Sequence, residues 1–177
     1  MRVNVTGLRN KLHWTFLLED GDGIYSENVT MTASKFFTML PKGVTIDRVH
    51  PDHLALITLL VCHPFVNSSL TIPWKVSRRF SESCRLITKY DVLLMDGFVE
   101  PYNPTENSRP ALAFSGGADS TASLLVMPKN TLSVFMDRPL KKSASIYNKS
   151  AAYATIKHAI ESGYDVQTLE CDVEYMR

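Results

Sequence analysis

With 177 residues, 45% of them hydrophobic and 21% charged, the chain has the composition of one or two small globular domains rather than a disordered segment. A formal net charge of +1 supplies no global field that would draw the protein to nucleic acid or to a membrane surface. The three cysteines, Cys62, Cys84 and Cys171, are odd in number and form no Cys-x-x-Cys pair. That argues against a disulfide framework or a cysteine zinc site, and for a reducing, cytoplasmic setting.

The start Met1-Arg2-Val3-Asn4-Val5-Thr6 has no apolar h-region, so no signal peptide is expected. The longest apolar stretch, residues 54–62, is too short to span a bilayer, so no membrane partner is expected. Residues 12–17 predict a strand, residues 19–23 a turn, and residues 24–30 its hairpin partner. Asp20 and Asp22 in that turn hint at calcium but lack the spacing and terminal Glu of an EF-hand, and a glycine turn is the plainer reading. Residues 33–40 predict a short helix closed by Pro41 and Gly43. A second helix starts at Pro51 and runs to about Cys62, a third covers residues 77–87, and residues 92–95 predict a strand. Residues 101–107 read as a linker, which makes residues 1–104 an α+β domain of unknown role.

Two clusters in this first domain are candidate sites. His50, His53 and His63 are possible metal ligands, yet on one helix His53 and His63 lie about 80° apart, and no carboxylate or cysteine completes a set. Lys75, Arg78, Arg79, Arg85 and Lys89, with Trp74 and Tyr90 nearby, could contact RNA by charge and stacking. Glu82 and Asp91 dilute the patch, so a solvated helix face is the plainer alternative.

Residues 111–121 read Ala-Leu-Ala-Phe-Ser-Gly-Gly-Ala-Asp-Ser-Thr, an apolar run breaking into two glycines and then a helix over 118–127 that Pro128 stops. Glycines admit positive φ and let a ligand approach the backbone. A strand that turns through them into a helix N-terminus aims free N–H groups and the positive end of the dipole at one point, an arrangement suited to phosphate. Ser115, Ser120 and Thr121 add hydroxyls. Asp119 adds a carboxylate suited to Mg²⁺, which commonly takes one or two carboxylates plus substrate phosphates. Beyond the loop, residues 131–136 predict a strand ending at Asp137, residues 148–162 a helix closed by Gly163, and residues 166–171 a third strand. This order predicts a parallel sheet with right-handed crossovers, and puts Ser115, Asp137 and Asp172 at the carboxyl edge where such sheets bind ligands.

The string Ser115-Gly116-Gly117-Ala118-Asp119-Ser120 after a strand resembles the signature of the PP-loop ATP pyrophosphatases, the adenine nucleotide alpha-hydrolase-like family. The wider pattern is nearest to 7-cyano-7-deazaguanine synthases and asparagine synthetases. Phe135-Met136-Asp137 and Glu170-Cys171-Asp172 hold the places where the former carry acidic strand ends. The resemblance covers residues 111–177. It implies an α/β protein in which an N-terminal α+β segment precedes the first half of a Rossmann-like parallel-sheet PP-loop domain at 105–177, in a chain that looks truncated. It further implies ATP bound by Ser115, Gly116, Gly117, Ala118, Asp119, Ser120, Thr121 and Asp137, with Mg²⁺ on Asp119. The activity implied is ligase-like: adenylation of a carboxylate or carbonyl on a small molecule or tRNA, with release of pyrophosphate. No N-terminal cysteine nucleophile of a glutaminase follows Met1, a departure from asparagine synthetase. The alternatives are a nucleotide-binding or sensing module without chemistry, and an RNA-binding modification protein. An incompletely covered sheet also raises the expectation of self-association into a homo-oligomer.

Overall fold

The computed structural model describes residues 1–139 and 149–176, so Asn148, the predicted start of one helix, lies outside the described residues. The protein is mixed α/β and divides into two compact units: Met1–Asn103 together with Asp172–Arg177, and Pro104–Cys171.

In the first unit, β1 (Arg2–Leu8) and β2 (Lys11–Leu17) form an antiparallel hairpin. Its turn holds Arg9 at φ 57°, a left-handed residue without the glycine that usually marks such a hairpin. β3 (Ile24–Ser26) and β4 (Val29–Thr30) pair with each other alone. The expected pairing of residues 12–17 with 24–30 does not form, because both edges of β2 are taken, one by β1 and the other by β5 (Lys35–Met39). β5 occupies the segment that local pattern reads as a helix. Phe36 explains the difference: its ring stacks on Trp14 at 4.8 Å and lies 5.9 Å from Phe16. Cross-strand aromatic contacts of this kind outweigh a helix preference of a few tenths of a kcal/mol per residue.

The unit continues through α1 (Pro51–Cys62), a 3₁₀ turn at His63–Phe65, β6 (Ser69–Thr71), β7 (Val76–Ser77), α2 (Arg78–Ile87), β8 (Asp91–Leu93) and β9 (Phe98–Val99). The main sheet runs β5-β2-β1-β6-β8, with β6 parallel to both neighbours, while β7 and β9 form a separate parallel pair. Pro51 supplies the fixed φ of a first helical turn, and α1 buries Leu54, Ala55, Thr58, Leu59 and Cys62. It is tied to the sheet by a polar contact inside the core. The Trp14 Nε1–H donates to Thr58 Oγ1 at 3.2 Å, and the Thr58 hydroxyl donates to the Leu54 carbonyl at 2.8 Å. The buried indole is thereby satisfied at no loss of apolar contact.

The second unit is built from β10 (Ala111–Ala113), α3 (Ala118–Val126), β11 (Leu132–Asp137), α4 (Lys149–Glu161) and β12 (Asp165–Glu170). Its three strands are parallel in the order β10-β11-β12. Phe114 and Phe135 pack with Leu124 of α3 and with Ala152, Ile156 and Ala159 of α4 in one cluster, so both helices cover the same sheet face. The i, i+4, i+7 spacing of the α4 residues makes that stripe. Gly163, at φ 82°, closes α4: Tyr164 N–H donates back to the Ala159 carbonyl at 3.1 Å, the 6→1 bond of a Schellman cap.

The last described residues group with the first unit, whereas sequence pattern alone assigns them to the second. Hydrogen bonds account for this. Asp172 Oδ1 accepts the Phe37 N–H at 2.6 Å, Asp172 N–H donates to the Phe37 carbonyl at 3.2 Å, and Thr32 N–H donates to the Met176 carbonyl at 2.7 Å. Asp172 is thus bonded to the backbone of β5. No helix among the described residues is long and apolar enough to cross a membrane.

The Asp20–Gly23 turn is a structural knot. The buried Asp22 carboxylate lies 2.7 Å from the Met1 ammonium and accepts N–H bonds from Glu19 and Asn67 at 2.9 Å each. Burial pushes its pKa up, but the donors from Asn67, the ammonium and Glu19 outweigh burial and hold it below the ordinary 3.8. Stability from a lowered carboxyl pKa is present above that ordinary value and is lost as pH falls below it. Asp22→Asn should therefore lower stability at pH 7 by on the order of 3 kcal/mol, since it leaves buried donors without their anion. Thermal melts should also show a shallower acid loss below pH 3.8 for the variant than for the parent.

Candidate functional site

Between β10 and α3 the chain makes one sharp reversal. Phe114 is held by its N–H to the Val134 carbonyl at 2.9 Å, and Gly116 then turns at φ 75°. A Cβ on Gly116 would sit 3.1 Å from Ala152 Cα and 3.2 Å from the Ala152 carbonyl, so α4 presses directly on the loop. Sequence allows both glycines a positive φ, but only Gly116 uses it. Gly117 is the N-cap of α3 at φ −82°, ψ 171°, with Ser115 Oγ at 3.4 Å as the nearest neighbour of a built Cβ.

The loop hydroxyls form a closed circuit. Gly117 N–H donates to Ser115 Oγ at 3.3 Å, Ser115 Oγ lies 3.1 Å from Ser120 Oγ, and Ser120 Oγ donates to the Gly117 carbonyl at 3.1 Å. Ser115 N–H also donates to Ser120 Oγ at 3.3 Å. Thr121 is the first residue to close a helical bond, from its N–H to the Gly117 carbonyl at 3.0 Å. The N–H groups of Ala118, Asp119 and Ser120 precede it and have no helical acceptor, and a glycine N-cap offers no side chain to cover them.

The side chains of the predicted set fall into four groups. Ser115 and Ser120 frame the loop with Gly116, Gly117 and Ala118. Asp119 is exposed on the first turn of α3 and makes no ion pair among the described residues. Its plainer role is favourable interaction with the helix dipole, worth about 0.3–1 kcal/mol. Thr121 is turned away: its hydroxyl donates to the Gly117 carbonyl at 2.8 Å, and it lines a cavity of about 320 Å³ with Phe114, Leu124 and Tyr164.

Asp137, at the carboxyl end of β11, is buried and already partnered. Lys149 Nζ lies 2.7 Å from its Oδ1, and the Tyr153 hydroxyl donates to its Oδ2 at 2.5 Å. Lys149 also donates to the Arg138 carbonyl at 3.1 Å. Sequence reasoning picks out Asp137 and misses Lys149 and Tyr153. The only signal was their i−3 and i+1 spacing around Ala152, which sets them beside the residue that meets Gly116.

The other candidates separate. His50 Nδ1 accepts the Asp52 N–H at 3.2 Å as a helix cap, while its Nε2 lies 2.9 Å from the Glu100 carbonyl, a pair of roles that selects the Nε2–H tautomer. His53 packs edge-on against Tyr102 at 4.5 Å, and His63 Nδ1 lies 3.1 Å from the Tyr90 hydroxyl. No group of three or more metal-ligating side chains occurs among the described residues. In the basic cluster, Arg78 lies over the Phe98 ring at 4.5 Å. All three cysteines are buried and outside any disulfide, and burial, with a smaller contribution from Asp52, pushes the Cys84 thiol up to about 11, away from nucleophilic use.

Compared with known proteins, the chain matches no family model, no curated protein and no solved structure.

Gly116→Ala adds a left-handed alanine, at about 1–2 kcal/mol, to a contact with Ala152 that has no room, and should lower the melting temperature by several degrees. Gly117→Val should cost no more than about 1 kcal/mol by the same measurement, as an apolar N-cap does. Lys149→Met leaves the Asp137 carboxylate buried without its cation and should cost about 3 kcal/mol in chemical denaturation. Asp137→Asn added to Lys149→Met should recover part of that loss; strictly additive losses would mean the pair is not coupled.

Proposed function

We propose that this chain binds ATP with Mg²⁺ through the 115–120 loop and adenylates an acceptor, as a protein of the PP-loop pyrophosphatase type. The observation that carries the proposal is the junction of Gly116 and Gly117 with α3. A left-handed glycine brings β10 to an uncapped helix start, where three N–H groups and the dipole converge beside two hydroxyls. In the proposed site the phosphates lie on the N–H groups of Ala118, Asp119 and Ser120. Ser115 and Ser120 exchange their mutual hydrogen bond for phosphate oxygens, and Asp119 takes the Mg²⁺. An acceptor oxygen, from a carboxylate or carbonyl on a small molecule or a tRNA, attacks the α-phosphorus. The bond from that phosphorus to the α,β-bridging oxygen breaks, and pyrophosphate leaves with the electron pair. The protein's part is positioning and charge stabilisation, with no covalent nucleophile. Asp137 serves by holding Lys149, and through it the first turn of α4 against the loop. Buried cysteines outside any disulfide fit the reducing cytoplasm we propose as the setting.

A second reading, nucleotide binding without chemistry, is favoured by one observation. Asp137, the acidic residue expected at the end of β11, is paired with the Lys149 ammonium and accepts the Tyr153 hydroxyl, which leaves Asp119 as the carboxylate that the 115–121 segment itself offers to a metal. The experiment that separates the readings pairs calorimetry with pyrophosphate release across candidate acceptors. Gly117→Val should abolish ATP binding while remaining folded. Asp119→Asn should weaken Mg²⁺-dependent ATP affinity about tenfold and shift stability by less than about 1 kcal/mol. Binding without pyrophosphate release for any acceptor would favour the second reading. Equal Mg·ATP affinity in parent and both variants would remove the loop from either.

A further inference from the structure

The first unit contains a cleft of about 630 Å³ far in sequence from the 115–120 loop, bounded by the β3–β4 ribbon, the His63–Phe65 turn and the segment after α2. Its volume is in the range of small-molecule sites, which are mostly apolar with a few convergent polar groups. Phe65 forms a buried floor, and Ile87 and Tyr25 stand at the walls with most of their surface exposed. The polar groups come from two separate segments: the His63 ring is hydrogen-bonded to the Tyr90 hydroxyl at 3.1 Å, and Lys89 lies beside them. Lys89 makes no hydrogen bond or ion pair among the described residues. Among the described residues the lining includes no acidic side chain, and Lys89 is its one lysine or arginine.

We propose that this cleft binds a small planar aromatic anion, with its ring between the Tyr25 and Tyr90 side chains and its anionic group at Lys89. The apolar floor and the two phenol rings suit a flat apolar body, and an unpaired ammonium at the rim suits a single negative group. Burial, with a smaller contribution from the nearby Cys62 and Cys84 thiols, raises the Tyr90 phenol above its ordinary value, so it remains a neutral hydrogen-bonding wall that does not repel the anion. The His63–Tyr90 hydrogen bond joins the end of α1 to the segment after α2 and sets Tyr90 before a ligand arrives, while the Gly23 N–H, donating to the Phe65 carbonyl at 2.8 Å, ties the residue preceding β3 to the floor.

The test uses the full chain with 1-naphthoate as probe and 1-naphthalenemethanol as its neutral counterpart, followed by calorimetry and by NMR shift mapping. The anion should bind more tightly than the alcohol, with shifts at Tyr25, Phe65 and Tyr90. Lys89→Met should weaken naphthoate roughly three- to fivefold, leave the alcohol unchanged and preserve the melting temperature, whereas Lys89→Arg should retain binding. Added salt should weaken the anion alone. Gly117→Val should leave naphthoate affinity as it was, which separates this site from the ATP proposal. Equal affinity for the two probes, no effect of Lys89→Met, shifts mapping elsewhere, or no binding at millimolar probe would each overturn the inference.

Discussion

The second unit turns on the contact between Gly116 and Ala152. A loop that leaves a parallel strand and enters a helix within four residues must reverse direction, and here a single left-handed residue does it. Because α4 lies against that residue, a side chain there is penalised for two independent reasons, conformation and space. The small residues continue on the other side of the contact, where Ala152 and Ala159 let α4 approach the loop and sheet closely. The geometry of α3's first turn is therefore set by α4 as much as by the loop itself. The uncapped N–H groups of Ala118, Asp119 and Ser120 are held in place by packing before anything binds them.

The same helix carries the polar element that sequence alone does not reveal. Lys149 lies one turn ahead of Ala152 and Tyr153 next to it, so the stripe that meets Gly116 also brings an ammonium and a phenol to Asp137. Removing a carboxylate from water is costly unless it is paired and hydrogen-bonded, and Asp137 has both compensations. A buried pair of this kind fixes a geometry more than it adds net stability. Here the geometry is the register of α4's first turn on the end of β11. Asp119 is the complementary case, a carboxylate on the first turn of α3 with no such commitments. Two acidic residues that look equivalent in sequence thus sit differently: one is tied into the scaffold, and the other is exposed on the first turn of α3 without an ion pair among the described residues.

Legibility in the sequence followed the range of the deciding interaction. α1, α2 and α4 were readable because Pro51, the Ser77 cap and the Ala152-Ile156-Ala159 stripe act within one or two turns. The three parallel strands of the second unit were readable from short apolar runs between glycine and proline signals. β5 was not, since its conformation is decided by the Trp14 ring presented from a strand twenty-two residues away. β1 escaped for a related reason: its hairpin turns through Arg9 in a left-handed conformation, so the usual Asn-Gly mark is missing. Asp172 escaped too. Its partner is the Phe37 backbone, and nothing local to Cys171-Asp172-Val173 signals a hydrogen bond 135 residues distant.

At the candidate site the division is the same, and it bears on what short motifs can establish. The string Ser115 to Ser120 specifies a strand-turn-helix junction because glycine, N-cap and hydroxyl preferences are all local. It points to N–H groups from Gly116 to Ser120, whereas the Gly117 N–H is taken by Ser115 Oγ and those of Ala118, Asp119 and Ser120 are the ones without a helical acceptor. It does not anticipate that Thr121 turns back to the Gly117 carbonyl, nor that Ser115 and Ser120 satisfy one another. Those two hydroxyls constrain any ligand: an oxyanion entering the loop must offer acceptors good enough to replace a closed circuit of hydrogen bonds. A neutral acceptor would exchange one set of modest bonds for another. An anion gains charge-assisted bonds, roughly twice as strong, from the same donors and from the helix dipole. In the proposed site the circuit would act as a filter for anions, with the selectivity belonging to the loop's own hydrogen bonds rather than to any single charged side chain.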